Sequence, residues 1–274
     1  MTVKIAHPFL KWAGGKTQLL PVLFKRAPSQ FHAYHEPFLG GGALFFALRP
    51  KGRSYLSDIN ADLVRTYQVV RNDVNDLIKA LQELAKGHSE QQYYTARGDH
   101  NCCKGTDVER AARFIYLNKT CFNGLYRVSK SGRFNVPIGK SKSPPAICDV
   151  DNLQACSEAL QGVEINCRAW DAGDVSLSTG DFVYYDPPYA PVSKTANFTA
   201  YSKDGFGPSD QLRLLQRAAM SKTMGVHVLL SNAATTDMVE MYRKEGFKVE
   251  VVEARRSVNC NAAKRGVVGE LLAW

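Results

Sequence analysis

An α/β sandwich interrupted by a helical, basic insert is the fold class this sequence predicts, and three observations predict it. Short apolar runs alternate with amphipathic helical stretches through the C-terminal half. Two apolar runs in the N-terminal part end at a glycine turn or at an acid. Between them lies a long helical stretch, followed by turn-rich chain without acidic residues. With 274 residues and 45% hydrophobic content, the chain can bury one large domain or two modest ones.

The first unit is the loop Phe9-Leu10-Lys11-Trp12-Ala13-Gly14-Gly15-Lys16-Thr17. Its Gly15-Lys16-Thr17 tail resembles the end of a phosphate-binding loop, which also needs a glycine where Leu10 stands. His7 and Pro8 make a poor buried strand before it, so a nucleotide-hydrolase reading is set aside. What remains is a glycine loop able to approach a ligand closely.

Next comes Tyr34-His35-Glu36-Pro37-Phe38-Leu39-Gly40-Gly41-Gly42, followed by the apolar run 43–48. This reads as strand end, glycine turn and helix. A second short strand, 54–57, ends at Asp58. A glycine turn followed by a strand-end acid about 20 residues on is the nucleoside-binding logic of doubly wound sheets. Gly40 and Gly42 fit the dinucleotide fingerprint, but Phe45 replaces its third glycine, which disfavours a pyrophosphate ligand. Asp58 is read as a ribose partner, with a helix N-cap as the bland alternative.

From 61 to about 87 the apolar residues Leu63, Val64, Tyr67, Val70, Leu77, Ile78, Leu81 and Leu84 recur at helical spacing. Residues 91–118 read as one or two more helices. Two alternating runs, 122–128 and 133–137, flank the turn Ser129-Lys130-Ser131-Gly132 and predict a β-hairpin. Pro144-Pro145 marks the return to the main fold. Strands are expected at 163–166, 181–185, 226–230 and 248–253, and helices at 209–224 and 236–244. Ser231-Asn232 stands at a strand end.

The stretch Tyr184-Tyr185-Asp186-Pro187-Pro188-Tyr189 delivers a carboxylate, a rigid turn and a ring to one point. Neither proline has an N–H, so the turn offers acceptors and few donors. A carboxylate and a bare carbonyl beside an aromatic ring suit a flat ligand bearing an –NH2 group, such as a nucleobase.

Charge points the same way. The net charge is +9, from 35 Lys and Arg against 26 Asp and Glu. From Arg113 to Cys148 there are seven basic residues and no acid, interleaved with Phe114, Tyr116, Phe122, Tyr126 and Phe134. A solvated face usually mixes signs, so this pattern favours a polyanionic partner. The seven cysteines form no Cys-x-x-Cys pair and have no histidine at zinc-ligand spacing, so they read as reduced structural thiols and no metal is expected. No stretch reaches a membrane-spanning length and no secretory h-region opens the chain, so a cytoplasmic protein is expected.

The loop 9–16, Glu36-Pro37-Phe38-Leu39-Gly40-Gly41-Gly42, Asp58-Ile59-Asn60, the hairpin and Asp186-Pro187-Pro188-Tyr189 occur in the order found in Dam-type, D12-class DNA adenine methyltransferases, which the chain resembles nearly end to end. The stretch 195–201 and Ser231-Asn232 extend the resemblance. It implies S-adenosylmethionine as methyl donor and double-stranded DNA as partner, with no obligate protein partner and a monomer. It also implies a Rossmann-like methyltransferase domain, 1–61 with 146–274, and an inserted target-recognition domain, 62–145. Trp12, Lys16, Phe38, Gly40, Gly42, Asp58 and Asp186 then match cofactor-contacting positions. Lys11, Phe122, Asn123, Leu125, Arg127 and Pro137 match DNA-reading ones. Asp186, Pro187, Pro188 and Tyr189 form the catalytic turn.

The resemblance suggests GATC as target. Thr120-Cys121-Phe122 departs from the usual run before Asn-Gly, which leaves a different site and a restriction-modification role as the alternative. Arg127 reads a guanine or contacts phosphate generically. Phe122 is hairpin core or a wedge against DNA. Arg255 and Arg256 are phosphate contacts or solvated charges. Methylation of RNA or of a protein amine is the rival activity; those enzymes more often carry Asn before the two prolines.

Overall fold

The computed structural model describes residues 5–140, 145–172, 176–189, 206–255 and 267–274. Within them the strands are β1 (Ala33–Glu36), β2 (Arg53–Asp58), β3 (Glu164–Cys167), β4 (Phe182–Tyr185), β5 (His227–Ala233), β6 (Val249–Arg255) and β7 (Val267–Ala273). They form one sheet in the order β3-β2-β1-β4-β5-β7-β6. The pairings from β3 through β5 are parallel, and β7 runs antiparallel to both β5 and β6. The expectations at 195–201, Lys142, Pro144 and Arg256 lie outside the described residues, as does the side chain of Arg255.

The helices are α1 (Leu20–Arg26), α2 (Ala43–Leu48), α3 (Ala61–Asn72), α4 (Val74–Lys86), α5 (Glu90–Asn101), α6 (Asp107–Thr120), α7 (Val150–Ala159), α8 (Pro208–Thr223) and α9 (Thr236–Lys244). Local chemistry sets their ends. Asn60 caps α3, its side chain accepting from the Asp62 and Leu63 N–H groups at 3.1 and 3.0 Å. Thr106 and Glu109 close a reciprocal capping box on α6. The single helical pattern expected over 61–87 is two helices, because the chain breaks at Asp73. Each half keeps its apolar face, so hydrophobic spacing alone does not show the kink.

β1 and β4 are buried at every position. In β4, burial of Phe182 and Val183 stabilises by about 1.5–3 kcal/mol per side chain, which anchors the centre of the sheet. Tyr34, Phe45, Phe46, Leu56 and Phe182 belong to one continuous core with Tyr67, Leu81, Tyr93, Phe114 and Tyr116 of the helical insert. α3 packs against β2, β3 and α7 on one side and α6 on the other. Sheet and insert therefore share a floor.

The expected hairpin closes at its turn, with Gly132 N–H donating to the Ser129 carbonyl at 2.9 Å and Ser129 N–H to that of Arg133 at 2.8 Å. Its arms pair only through isolated antiparallel bridges, Val128 with Phe134 and Cys121 with Ile138. No strand forms there among the described residues, because Phe122–Gly124 coils into a 3-10 turn with Asn123 and Gly124 at φ of 56° and 65°. Pro137 also withholds a ladder donor. α1, α7 and β7 are elements the periodicity reading does not contain.

Candidate functional site

β1 and β4 run parallel, but the order in which strands are added reverses between them: from β1 the chain moves out to β2, from β4 to β5 on the opposite side. Such a switch point opens a crevice beyond the carboxyl ends of the strands, where open α/β sheets bind ligands. Glu36 closes β1 there and Asp186 follows β4.

Register places the groups around Asp186. Tyr185 pairs with Leu230, so the next residue, Asp186, lies beside Ser231. Ser231 Oγ donates to Asp186 Oδ1 at 2.7 Å and lies 2.9 Å from the Tyr184 hydroxyl. Lys16 Nζ donates to Asp186 Oδ2 at 2.7 Å and to the Gly14 carbonyl at 2.5 Å. Lys16 is only 4% exposed, so it is not a surface lysine. Its ammonium also lies 3.4 Å from Glu270 Oε1 and 4.9 Å from the centre of the Tyr189 ring. The Tyr189 hydroxyl donates to Glu270 Oε1. Gln211 Nε2 donates to the Pro188 carbonyl at 3.0 Å, and Asn232 Nδ2 holds Gln211 in turn.

Glu36 lies deeper and is buried, its carboxylate accepting from the Tyr34 hydroxyl at 2.8 Å. Burial, reinforced by the Asp186 charge, pushes its carboxyl up to about 8, while the Tyr34 bond and Lys16 work in the other direction. Burial also raises Glu270, with Lys16 partly offsetting it and Asp186 adding to it. The Tyr189 phenol is raised well above its usual range, chiefly by burial.

Of the residues expected at a cofactor, Gly40 touches both Trp12 and Asp58, and Phe38 and Gly42 belong to the same glycine turn. Gly40 and Gly42 take φ of 47° and 63°. A Cβ on Gly40 would stand 2.8 Å from Trp12 Cδ1, so the turn closes tightly on the indole. Asp58 accepts from the Gly40 N–H at 3.0 Å and the Asn60 N–H at 2.9 Å. The helix cap is Asn60, so the bland reading of Asp58 fails. Phe38 sits among Trp170 and Phe206, with ring centres 6.2 and 5.7 Å away. Lys16 stands apart from this box, on the Asp186 side.

Asn118 ties Lys11 to the turn that carries Asn123. Its side chain accepts from the Lys11 N–H and donates to the Lys11 carbonyl, both at 2.8 Å, and reaches the Gly124 carbonyl at 3.3 Å. Phe122 N–H donates to the Pro137 carbonyl at 2.9 Å. The Phe122 ring is 41% exposed and lies outside the core, which decides against the hairpin-core reading. Asn123 Nδ2 is buried without a partner among the described residues. Leu125 is half-buried; Pro137 and Arg127 are exposed. Arg127 Nε donates to Asn135 Oδ1 at 2.7 Å, which holds the guanidinium across the hairpin.

Two basic residues of the acid-free stretch do not face solvent. Arg113 is buried, donates to the Lys104 carbonyl and lies 4.0 Å from Asp99. Lys119 is half-buried, and burial lowers its ammonium. Arg127, Lys130, Arg133 and Lys140 are exposed. Sequence reasoning missed Glu270, Trp170 and Phe206, and it read Glu36 only as part of a turn motif. An acid before a proline at a strand end is a signal for Glu36; nothing local marks Glu270.

The family model for D12 class N6 adenine-specific DNA methyltransferase matches residues 12–258. The chain is 42% identical to "Type II methyltransferase M.MjaIII" of Methanocaldococcus jannaschii, covering 94% of each chain. It is 37% identical to "Type II methyltransferase M1.LlaDCHI" of Lactococcus lactis, over 97% of this chain and 94% of that one. It is 36% identical to "DNA adenine methylase" of Escherichia coli K12, over 99% and 96%. No helix among the described residues is long and apolar enough to cross a membrane.

Proposed function

The chain belongs to the D12 class of N6 adenine-specific DNA methyltransferases, and from that premise we propose that it methylates the N6 amine of an adenine flipped out of duplex GATC, with S-adenosylmethionine as donor. The observation that carries the reading is Asp186-Pro187-Pro188-Tyr189 at the β1/β4 switch point, its carboxylate oriented from both sides by Ser231 and Lys16.

The crevice fits such a donor. Asp58 offers a carboxylate to ribose hydroxyls, and Phe38 with Trp170 and Phe206 offers ring faces to a nucleobase. The Gly40 turn, closed on Trp12, leaves room only for backbone. Two carboxyls, Asp186 and Glu270, flank the single ammonium of Lys16, an excess of acid over base that suits a cationic ligand. Bound there, the donor supplies an electrophilic methyl on a positively charged sulfur.

The chain's own residues do the rest. An ionised carboxylate can accept about four hydrogen bonds, so Asp186 has room for an N6–H beside Lys16 and Ser231. A second N6–H to the Pro187 carbonyl would favour a tetrahedral nitrogen and free its lone pair. Asp186 is already bonded by Lys16 and Ser231 and a strong base is not required: the product ammonium is acidic and loses its proton readily. Tyr189 stacks on the flipped base, whose unstacking costs a few kcal/mol. Holding both substrates together can supply about 7–11 kcal/mol in favourable cases.

Residues 62–145 act as the target-recognition unit, joined to the sheet through α3. Leu125 and Pro137 would meet a thymine methyl and Arg127 a guanine. Phe122, exposed on the same surface, serves as the wedge. The protein works as a monomer in the cytoplasm, where its substrate DNA lies in a prokaryotic or phage-infected host. A second reading, modification beside a restriction enzyme at another site, is favoured by two relatives named type II methyltransferases and by Thr120-Cys121-Phe122. Tritium transfer to duplex DNA, RNA and protein, followed by methylation mapping, tests both readings against the rival activity on RNA or protein. Label on RNA or protein refutes the activity, and a mapped site other than GATC refutes the target.

A further inference from the structure

Among the described residues of the crevice, Glu270 is a carboxylate that the sequence motifs leave unassigned. It sits on β7, paired with Ala233 of β5 and Val252 of β6, and is 9% exposed. An acid in the middle of a strand is costly to bury unless it is bonded. Here Oε1 accepts the Tyr189 hydroxyl and lies 3.4 Å from Lys16 Nζ. The ammonium in turn stands 4.9 Å from the Tyr189 ring centre. Tyr189 is thus held at its hydroxyl by an anion while its ring already has a cation within reach.

We propose that Glu270 is a positioning residue for the transfer step, acting through Tyr189: it fixes the phenol and enriches the ring face against which the target base becomes positively charged. This rests on the reading that Tyr189 stacks on the target adenine.

The chemistry follows from the hydrogen bond. A phenol donating to a carboxylate shifts electron density into its ring, and a ring's negative face attracts cations. The adenine is neutral when it binds and positively charged as its nitrogen takes the methyl. A richer ring therefore stabilises the transition state more than the bound substrate, which raises kcat and leaves KM little changed. The raised phenol keeps its proton, so it stays the donor. Lys16 complements the arrangement by preventing Glu270 and Asp186 from facing each other uncompensated.

The test is a double-mutant cycle on the full-length protein, read by single-turnover transfer of labelled methyl to a synthetic duplex. Glu270→Gln keeps an acceptor for the hydroxyl and removes the charge; Tyr189→Phe keeps the ring and removes the hydroxyl. Each is expected to lower the transfer rate about tenfold, the scale of a desolvated cation–π contact, with KM for DNA and donor within about twofold. The double variant is expected to be no slower than Tyr189→Phe alone. Rate losses that multiply in the double variant would overturn the proposal, as would a Glu270→Gln enzyme of full rate. A loss confined to the donor KM would also overturn it, making Glu270 a donor ligand. If Glu270→Gln fails to fold, Tyr189→Phe decides: full-rate transfer refutes the role, and a tenfold loss at constant KM supports it. Failure of the underlying reading shows separately, as a wild-type protein that puts no methyl on duplex adenine.

Discussion

Removing the ammonium from the crevice is the sharpest perturbation available. Lys16→Met keeps the length and apolar stem of the side chain and deletes the charge. Asp186 Oδ2 and Glu270 Oε1 stand 2.7 and 3.4 Å from that charge. At an effective dielectric of about 20 the gross attractions are about 6 and about 5 kcal/mol, before desolvation is subtracted. Breaking a buried pair by removing one partner costs about 3–5 kcal/mol net. At about 2–4 °C per kcal/mol for a chain of this size, the melting temperature should fall by roughly 6–20 °C at pH 8. The loss must depend on pH. Without the cation, the two carboxyls repel each other, and in acid one can neutralise by taking a proton that the unfolded chain binds less tightly. The folded variant then binds more protons than its unfolded state, so its deficit grows as pH rises and shrinks toward pH 5. Urea melts of wild type and variant at pH 5 and pH 8 measure it, with far-UV circular dichroism at both. A deficit equal at the two pH values would refute the electrostatic reasoning and leave only packing.

Other perturbations probe the remaining parts. Asp186→Ala should fold and bind DNA but transfer methyl at least a hundred-fold more slowly, because it deletes a bond that strengthens toward the transition state; near-normal turnover of a folded variant removes Asp186 from the mechanism. Arg127→Ala should cost about 1–3 kcal/mol in binding and relax discrimination at one base pair, whereas unchanged discrimination on a mismatch panel would make Arg127 a phosphate contact. Glu36, held at about 8, takes up a proton on folding, so it withdraws stability as pH rises from about 4.5 through 8. Glu36→Gln should therefore equal wild type near pH 4.5 and exceed it at pH 9, by an amount on the order of a few kcal/mol since one pKa unit is about 1.4 kcal/mol; parallel stability curves would disprove this. Phe122→Ala should barely move the melting temperature, because the ring is exposed, but should diminish the fluorescence rise of 2-aminopurine at the target position. A full rise would end the wedge assignment.

The strands that carry the crevice were legible because each combines an apolar run with an end signal. Phe182 to Tyr185 leads into Asp-Pro-Pro, and Ser54 to Ser57 leads into Asp58, so both strand and acid are written in adjacent residues. Glu270 was not legible. It reaches Tyr189 from 81 residues away, and Gly269 beside it breaks any alternating pattern. Arg113 was misread because charge counts along the chain do not see the α6 face, where the guanidinium turns inward to the Lys104 carbonyl and toward Asp99. The break at Asp73 was invisible for a related reason: two helices packed on one core repeat the spacing of one.

Asn118 makes the two halves of the molecule answerable to each other. Its amide grips the backbone of Lys11 in both directions and touches Gly124, while Trp12, the next residue, stacks on Tyr126 with ring centres 5.4 Å apart. Five residues beyond Lys11, the same short loop ends in Lys16, tethered to Asp186. A ligand that shifts Lys16 therefore pulls on a strip of chain whose far end is bolted to the turn at Gly124, on the surface proposed to face DNA. Linkage requires reciprocity: the factor by which donor tightens DNA must equal the factor by which DNA tightens donor. Titrating each with the other absent and then saturating yields that factor twice. Asn118→Ala should drive it toward one, and a coupling factor untouched by that substitution would mean the strip is slack.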